Sequence, residues 1–340
     1  MDAPDNWIVN AKQVVSIFRD NSAANVFWLT AFSILLHAHF FTEPPVVLAV
    51  PGEGFIADIL AKYFAGMPPL ALAVFYHATV IIQALRLNYI LNEVKMVNKP
   101  AFTAALAYVL FTALFKEWNQ FTPALITNSF LIWLIYRIAR LYNSPNPKTL
   151  IYNIGLITGI AIAGYYPALP LILVVYFSLA ILRPFHANEW FLLLMGIITP
   201  FYFLAAWLFV NDNITVLLHY IPRWQPHVIK VGNAVSFYAS YGVLCFCVIA
   251  GLVVWQNNNG RMLIQARKAW AVLLVMLLLL VPMVFLVKDM STAAWLMALV
   301  PAAAFTSNFF LYPRSALVPA IFVWITIGLV VYNNWFAAAK

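Results

Sequence analysis

Residues 269–287 read AWAVLLVMLLLLVPMVFLV, a run without a single charge that Lys288 and Asp289 close. A helix rises 1.5 Å per residue, so about 20 apolar residues cross a hydrocarbon layer of about 30 Å. This stretch has that length, and its neighbours repeat the pattern. Upstream lies 231–255, and downstream lie 291–311 and 315–335. Towards the N-terminus the same ruler finds 24–42, 69–91, 101–115, 122–142, 150–166, 168–183 and 189–210. Tyr165-Tyr166-Pro167 is read as a turn between two helices, because residues 150–182 as one helix would be about 50 Å long. The expectation is an all-α, polytopic transmembrane bundle of about 11 spans.

Composition excludes the soluble alternative. Hydrophobic residues make up 64% of the 340 and charged residues only 9%, against about 25% charged in an ordinary globular protein. A soluble fold could not cover itself with so little charge. Cys245 and Cys247 are the two cysteines. At i,i+2 on a helix they point to different sides, which argues against a disulfide framework or thiolate metal site. The polar opening, with Asp2, Asp5, Lys12, Arg19 and Asp20, predicts no cleaved signal peptide.

Charge sets the expected orientation. With the N-terminus in the cytoplasm and alternating spans, the inner side collects Lys12, Arg19, Arg86, Lys95, Lys99, Arg137, Arg140, Lys148, Arg183, Arg261, Arg267, Lys268 and Arg314. The whole net charge of +8 then falls on that side, as the positive-inside rule requires. The basic balance therefore reports insertion into a bacterial inner membrane, and no nucleic-acid partner is expected. Residues 1–23 form a cytoplasmic segment, 24–335 one transmembrane domain, and 336–340 a short outer tail.

Two outer connections, 43–68 and 211–230, exceed the needs of a turn, and long ordered loops are more often functional than short ones. In the first, Phe55, Ile56, Ile59, Leu60, Tyr63 and Phe64 share one helical face, with Asp58 and Lys62 opposite at i,i+4. This predicts an amphipathic helix on the membrane surface. The second offers Ile214–Ile221, then Arg223, His227 and Lys230 beside Trp224. That patch is read either as interfacial anchoring or as a binding site for the phosphate of a lipid-linked substrate.

Outer carboxylates are few: Glu43, Glu53, Asp58, Glu117, Asp212 and Asp289. A transferase at this face needs one of them as general base. His37 and His39 diverge on a helix, so no metal site is expected, and no cofactor. The zinc-protease, P-loop, nucleophile-elbow and dinucleotide signatures are missing from the sequence. Within the spans, His77 and Arg86 are the ionisable candidates, although Arg86 can equally snorkel to the headgroups. Asn128 and Asn308 are expected to bond between helices, and Gly155 with Gly159 to form a packing face. A coupled small-molecule transporter usually carries a mid-membrane acid, and none falls there.

The segment Arg183-Pro184-Phe185, Glu189-Trp190 and Gly196-Ile197-Ile198-Thr199-Pro200-Phe201-Tyr202-Phe203 resembles an uncharacterised integral-membrane family of Bacteroidota, a domain of unknown function. The likeness extends from about Leu87-Asn88 to the C-terminus and implies inner-membrane placement. The layout resembles a second group, the membrane glycosyltransferases of the C superfamily. The shared points are a long first outer loop bearing a surface helix, a very short second one, Thr122-Pro123-Ala124 opening a span, and Tyr152-Asn153-Ile154-Gly155 with Gly159 in the next. This resemblance implies a polyprenyl-phosphate-linked sugar as substrate and a catalytic acid in the first outer loop, with Glu43, Glu53 and Asp58 as candidates. No Asp follows the first span directly, however, and no paired acidic motif is present. Three functional expectations result, in this order: a glycosyltransferase-like protein acting at the periplasmic face, with Glu43 or Asp58 as base and Arg223, His227 and Lys230 on the phosphate; a non-enzymatic subunit of an envelope assembly or export complex that works through a membrane-protein partner; and, third, a small-molecule transporter.

Overall fold

The computed structural model describes residues 14–142, 144–220, 234–286, 292–313 and 315–336. The chain runs through α1 (Ala24–Leu36), α2 (Pro69–Glu93), α3 (Thr103–Thr112), α4 (Pro123–Ala139), α5 (Pro147–Gly164), α6 (Leu171–Leu182), α7 (Ala187–Val210), α8 (Ala234–Asn258), α9 (Ile264–Leu280), α10 (Leu296–Leu311) and α11 (Leu317–Val331), with shorter helical turns between them. Among the described residues, five helical segments are long and apolar enough to cross a membrane: Pro69–Glu93, Ala187–Val210, Ala234–Arg261, Thr292–Leu311 and Leu317–Phe336. Large apolar side chains such as Phe203, Trp207, Ile249 and Leu278 stand exposed on the flanks, as lipid-facing surfaces require. This is a membrane-embedded helical protein.

Local chemistry sets the helix starts. Proline occupies the first turn of α2, α4 and α5, where its missing N–H costs nothing. Thr122 caps α4 by accepting from the Leu125 N–H at 3.2 Å, which meets one of the orphan donors. As the sequence predicts, α5 and α6 are separate helices. The break comes at Tyr165, in extended conformation, and a 3-10 turn at Tyr166–Ala168 leads on to α6.

The helices run between two recognisable ends. At the loop-rich end, Leu48 N–H bonds the Phe121 carbonyl (3.2 Å), Tyr166 N–H the Glu53 carbonyl (2.9 Å), and Trp118 Nε1 the Thr292 carbonyl (3.0 Å). At the opposite, basic end, Arg19 Nε donates to the Phe310 carbonyl (2.8 Å), Lys268 Nζ to the Leu182 carbonyl (3.3 Å) and Trp270 Nε1 to the Met96 carbonyl (2.9 Å).

The centre is α10, buried along its whole length, packed on an equally buried α3. Helices α4, α8 and α9 also contact α10, while α5, α6 and α7 form a lateral group against α4 and α9. Gly155 and Gly159 do form a packing face, and α7 fills it. A Cβ on Gly159 would drive into the Ile197 carbonyl, and one on Gly196 would lie 2.5 Å from the Tyr152 carbonyl oxygen. Such backbone proximity is how small residues replace a hydrophobic driving force within lipid.

Polar groups inside the bundle are mostly tied. Asn128 Nδ2 donates to the Tyr108 hydroxyl and the Leu296 carbonyl, each at 3.0 Å, and so bridges helices as expected. Asn308 does not. Its amide donates at 3.4 Å to Phe305 of its own helix, because α10 is enclosed by apolar neighbours. At the basic end Arg183 forks onto Glu189 through Nε and Nη2, both at 2.9 Å, a bidentate pair that closes the hairpin between α6 and α7.

Candidate functional site

The first long loop is held in place from three sides. Val46 N–H donates to Gln120 Oε1 at 2.6 Å, and an isolated parallel bridge joins Val47 to Phe121. Further on, Gly54 adopts φ +135 against the backbone of Gly164 and Tyr165, a position with no room for a Cβ. The helix predicted over 55–64 is present as an α-helical Phe55–Ile59 that widens into a π turn at Leu60–Phe64. Its buried positions are Ile56, Ala57 and Leu60, so part of the expected membrane face docks on protein instead. Ile59 and Tyr63 remain exposed.

The expected Asp58–Lys62 pair does not form. Asp58 accepts from the Gly52 N–H at 3.0 Å and, through its other oxygen, from the Tyr220 hydroxyl. Lys62 lies over the Tyr63 ring, 5.2 Å from its centroid. The wider π turn explains this, since it carries Lys62 out of the i,i+4 position that a regular helix would give it. Asp58 thereby fastens the first long loop to the second. Of the basic patch, Arg223, His227 and Lys230 lie outside the described residues.

The other two loop carboxylates differ sharply. Glu43 is exposed and paired with Lys116, whose hydrogen bond and charge hold its carboxyl below the usual range. Glu53 is tucked against the start of the α5–α6 turn, and burial pushes its carboxyl up to about 7. Among the described residues no salt bridge offsets it. The sign follows directly. The neutral acid is the form the fold prefers, so its contribution to stability is full below about 4.5 and is lost as pH rises towards 7. Between pH 5 and pH 8 the detergent-solubilised protein is expected to lose on the order of 2 kcal/mol of stability from this group. Glu53→Gln should flatten that loss in thermal unfolding scans, and an unchanged pH response in the variant would show that Glu53 is not its source.

Glu117 belongs to the same end; its side chain is exposed at the surface, and desolvation by the protein around it raises its carboxyl. It precedes Trp118, whose ring packs on Phe115 (centroids 4.6 Å apart) and Tyr241 (6.2 Å). Trp118 and Tyr241 line a groove of about 530 Å³ between α8, α9 and α10, walled by Leu244, Leu277, Trp295 and Leu299. Its rim residues Ile249, Leu278 and Phe285 are exposed, so the groove opens sideways between helices. Nothing in the local sequence marks this place, since its walls come from three distant helices and the 113–121 turn.

Sequence reasoning also missed a buried polar knot beneath the loops. His37 closes α1, and a 3-10 turn, Ala38–Phe41, follows. The His37 ring meets the Ser33 carbonyl through Nδ1 (2.8 Å), and through Nε2 the Tyr76 hydroxyl (3.2 Å) and Asn119 Oδ1 (3.1 Å). Asn119 Nδ2 donates to Asn334 Oδ1 at 2.9 Å, and Asn334 Nδ2 donates to the Ala113 (3.0 Å) and Val330 (2.9 Å) carbonyls. The ring of His77 lies 5.2 Å from that of His37, and its Nδ1 pairs with Ser33 Oγ at 3.0 Å. Although α1 has unwound and brought His37 and His39 to 6.0 Å between ring centroids, no group of three or more His, Cys, Asp or Glu among the described residues could hold a metal ion. Cys245 and Cys247 are both free thiols.

No family model, curated protein or solved structure matches this chain.

Proposed function

We propose that the chain crosses a bacterial inner membrane about eleven times with its N-terminus in the cytoplasm, and that its loop-rich end handles a lipid-linked sugar at the periplasmic face, in the manner of a membrane glycosyltransferase. The basic end, with Arg19, Lys99, Arg140, Arg183 and Lys268, suits the cytoplasmic side. One observation carries the substrate class: the apolar groove of about 530 Å³ that opens sideways at the loop-rich end, walled by Trp118, the residue after Glu117, and by Tyr241, which feels the Glu117 charge. Such a groove suits an isoprenoid chain entering from the bilayer, and a carboxylate beside it suits the sugar end.

In this reading two acids of the loop-rich end do the proton work. A carboxylate takes the proton of an acceptor hydroxyl as that oxygen bonds the anomeric carbon, and the carbon–oxygen bond to the carrier phosphate breaks, releasing polyprenyl phosphate. Acids whose carboxyls are raised by desolvation suit this role. Glu117 stands by the groove, and Glu53 is the best suited of the three first-loop candidates. Glu43, neutralised by Lys116, and Asp58, occupied by Gly52 and Tyr220, are better placed to hold loops together. The phosphate role of Arg223, His227 and Lys230 belongs to the same proposal.

The test is native mass spectrometry of the protein purified in mild detergent, followed by single Glu117→Gln and Glu53→Gln substitutions. A retained polyprenyl phosphate or lipid-linked sugar, with turnover falling at least ~100-fold in one variant that still folds, is the expected result. A stoichiometric protein partner with no such lipid would replace this reading with the second, a non-enzymatic subunit of an envelope assembly or export complex. The use of Glu43 and Asp58 as loop fasteners favours that alternative.

A further inference from the structure

At the other end of the bundle, α2 borders a cleft, closed on one side by α4, that the glycosyltransferase-like reading does not use. Two adjoining cavities, about 370 and 720 Å³, share Ile82, Arg86 and Tyr89 as walls. Between Ile82 and Asn92 the cleft follows α2 for roughly 15 Å. On the α4 side it is walled by Ile132, Trp133 and Tyr136, and around α2 on the other side by Asn88, Asn92 and Asn21. An apolar trough thus adjoins a polar pocket.

Arg86 stands at the junction, exposed, with no ion pair or hydrogen bond among the described residues. Asn88 lines the polar pocket, is only 4% exposed, and likewise has no hydrogen-bond partner among the described residues. The Asn88 amide and the Arg86 guanidinium both reach the surface of the cleft, open to a ligand. Ser129 adds a donor. Gln83 takes the Leu125 carbonyl (2.6 Å), the acceptor a helical serine ordinarily uses, and also donates to Ser129 Oγ (2.8 Å), leaving that hydroxyl's own hydrogen for the cleft. Glu93, the acid of the polar pocket, is neutralised by Arg140. Arg137, near Trp133 at 5.8 Å, adds positive charge.

We infer that this cleft is a binding site for one anionic phospholipid, with Arg86 on the phosphate and an acyl chain along Ile82 and Trp133. Charge complementarity selects the ligand. A zwitterionic lipid brings an ammonium that Arg86 and Arg137 repel, whereas a phosphodiester with no counter-charge meets a guanidinium with no partner.

The probe is phosphatidylglycerol against phosphatidylcholine of identical chains, titrated onto the full-length protein in detergent and counted by native mass spectrometry. Wild type should hold one phosphatidylglycerol about 5- to 10-fold more tightly than phosphatidylcholine. Arg86→Gln should erase that preference while leaving the unfolding midpoint in phosphatidylcholine unchanged, since the side chain has no protein partner to lose. Ser129→Phe, which fills the trough and keeps the charge, should reduce the binding of both lipids. Equal binding of the two lipids by wild type, or an undiminished preference in Arg86→Gln, would overturn the assignment. Displacement of the lipid by millimolar inorganic phosphate would overturn it too, marking a site for a free anion.

Discussion

Gly159→Leu should nearly eliminate correctly folded protein. The α5–α7 crossing brings Gly159 so near the Ile197 carbonyl that even a Cβ has nowhere to go, and Pro200 side-chain atoms stand at 3.0 Å from the same point. Backbone is on the far side, so no rotamer can yield, and the helices must separate along the crossing that Gly155 and Gly196 share. A cost of about 4 kcal/mol or more follows, at the high end for single substitutions. Size-exclusion yield of a fluorescent fusion reads this directly. Gly242→Leu, in α8, is the matched control, because a Cβ there meets nothing within 4 Å. A monodisperse Gly159→Leu peak at wild-type yield would mean that the crossing is looser than described.

Asn119→Leu is the second large effect. This fully buried amide joins the turn after α3 to α1 through His37 and to the C-terminal turn through Asn334. The substitution takes the amide partner from His37 Nε2, which keeps only the Tyr76 hydroxyl, and strands the buried Asn334 Oδ1. Losing these buried bonds costs about 3 kcal/mol, or about 4 °C in the unfolding midpoint of a chain this long. Adding Asn334→Leu should cost much less than the sum of the single changes, because each already breaks the shared bond. Additive losses, or a single loss below about 1 kcal/mol, would refute the network.

The two sites explain why sequence reading succeeds in one place and fails in another. The apolar runs and the break at Tyr165 are legible because lipid imposes a length and a polarity on each segment by itself. Gly155 and Gly159 are legible as a face, since their spacing is local, but the residue that fills the face, Gly196, lies on another helix. The Asp58–Lys62 pair is a fair inference for a regular helix, yet a π turn and a tyrosine from a distant loop redirect both side chains. The knot around Asn119 lies beyond sequence reasoning altogether. Its members come from α1, α2, the turn after α3 and the C-terminal turn, and none carries a motif. Glu117 is visible as a loop acid, but the groove walled by its neighbour Trp118 is built by helices more than a hundred residues away.

The position of α10 in the chain has a consequence for biogenesis. It is the hub of the bundle, yet it is synthesised next to last among the long helices. Until it emerges from the ribosome, α3 and α4 have no partner for the faces they will bury, and the Asn128 amide lacks the Leu296 carbonyl. A nascent chain must therefore wait as a half-assembled ring with polar side chains facing an empty centre, held by the insertion machinery or by lipid. Closure comes in one late step, so truncation anywhere before residue 311 removes the centre along with the end, and quality-control proteases should see such products as unassembled throughout.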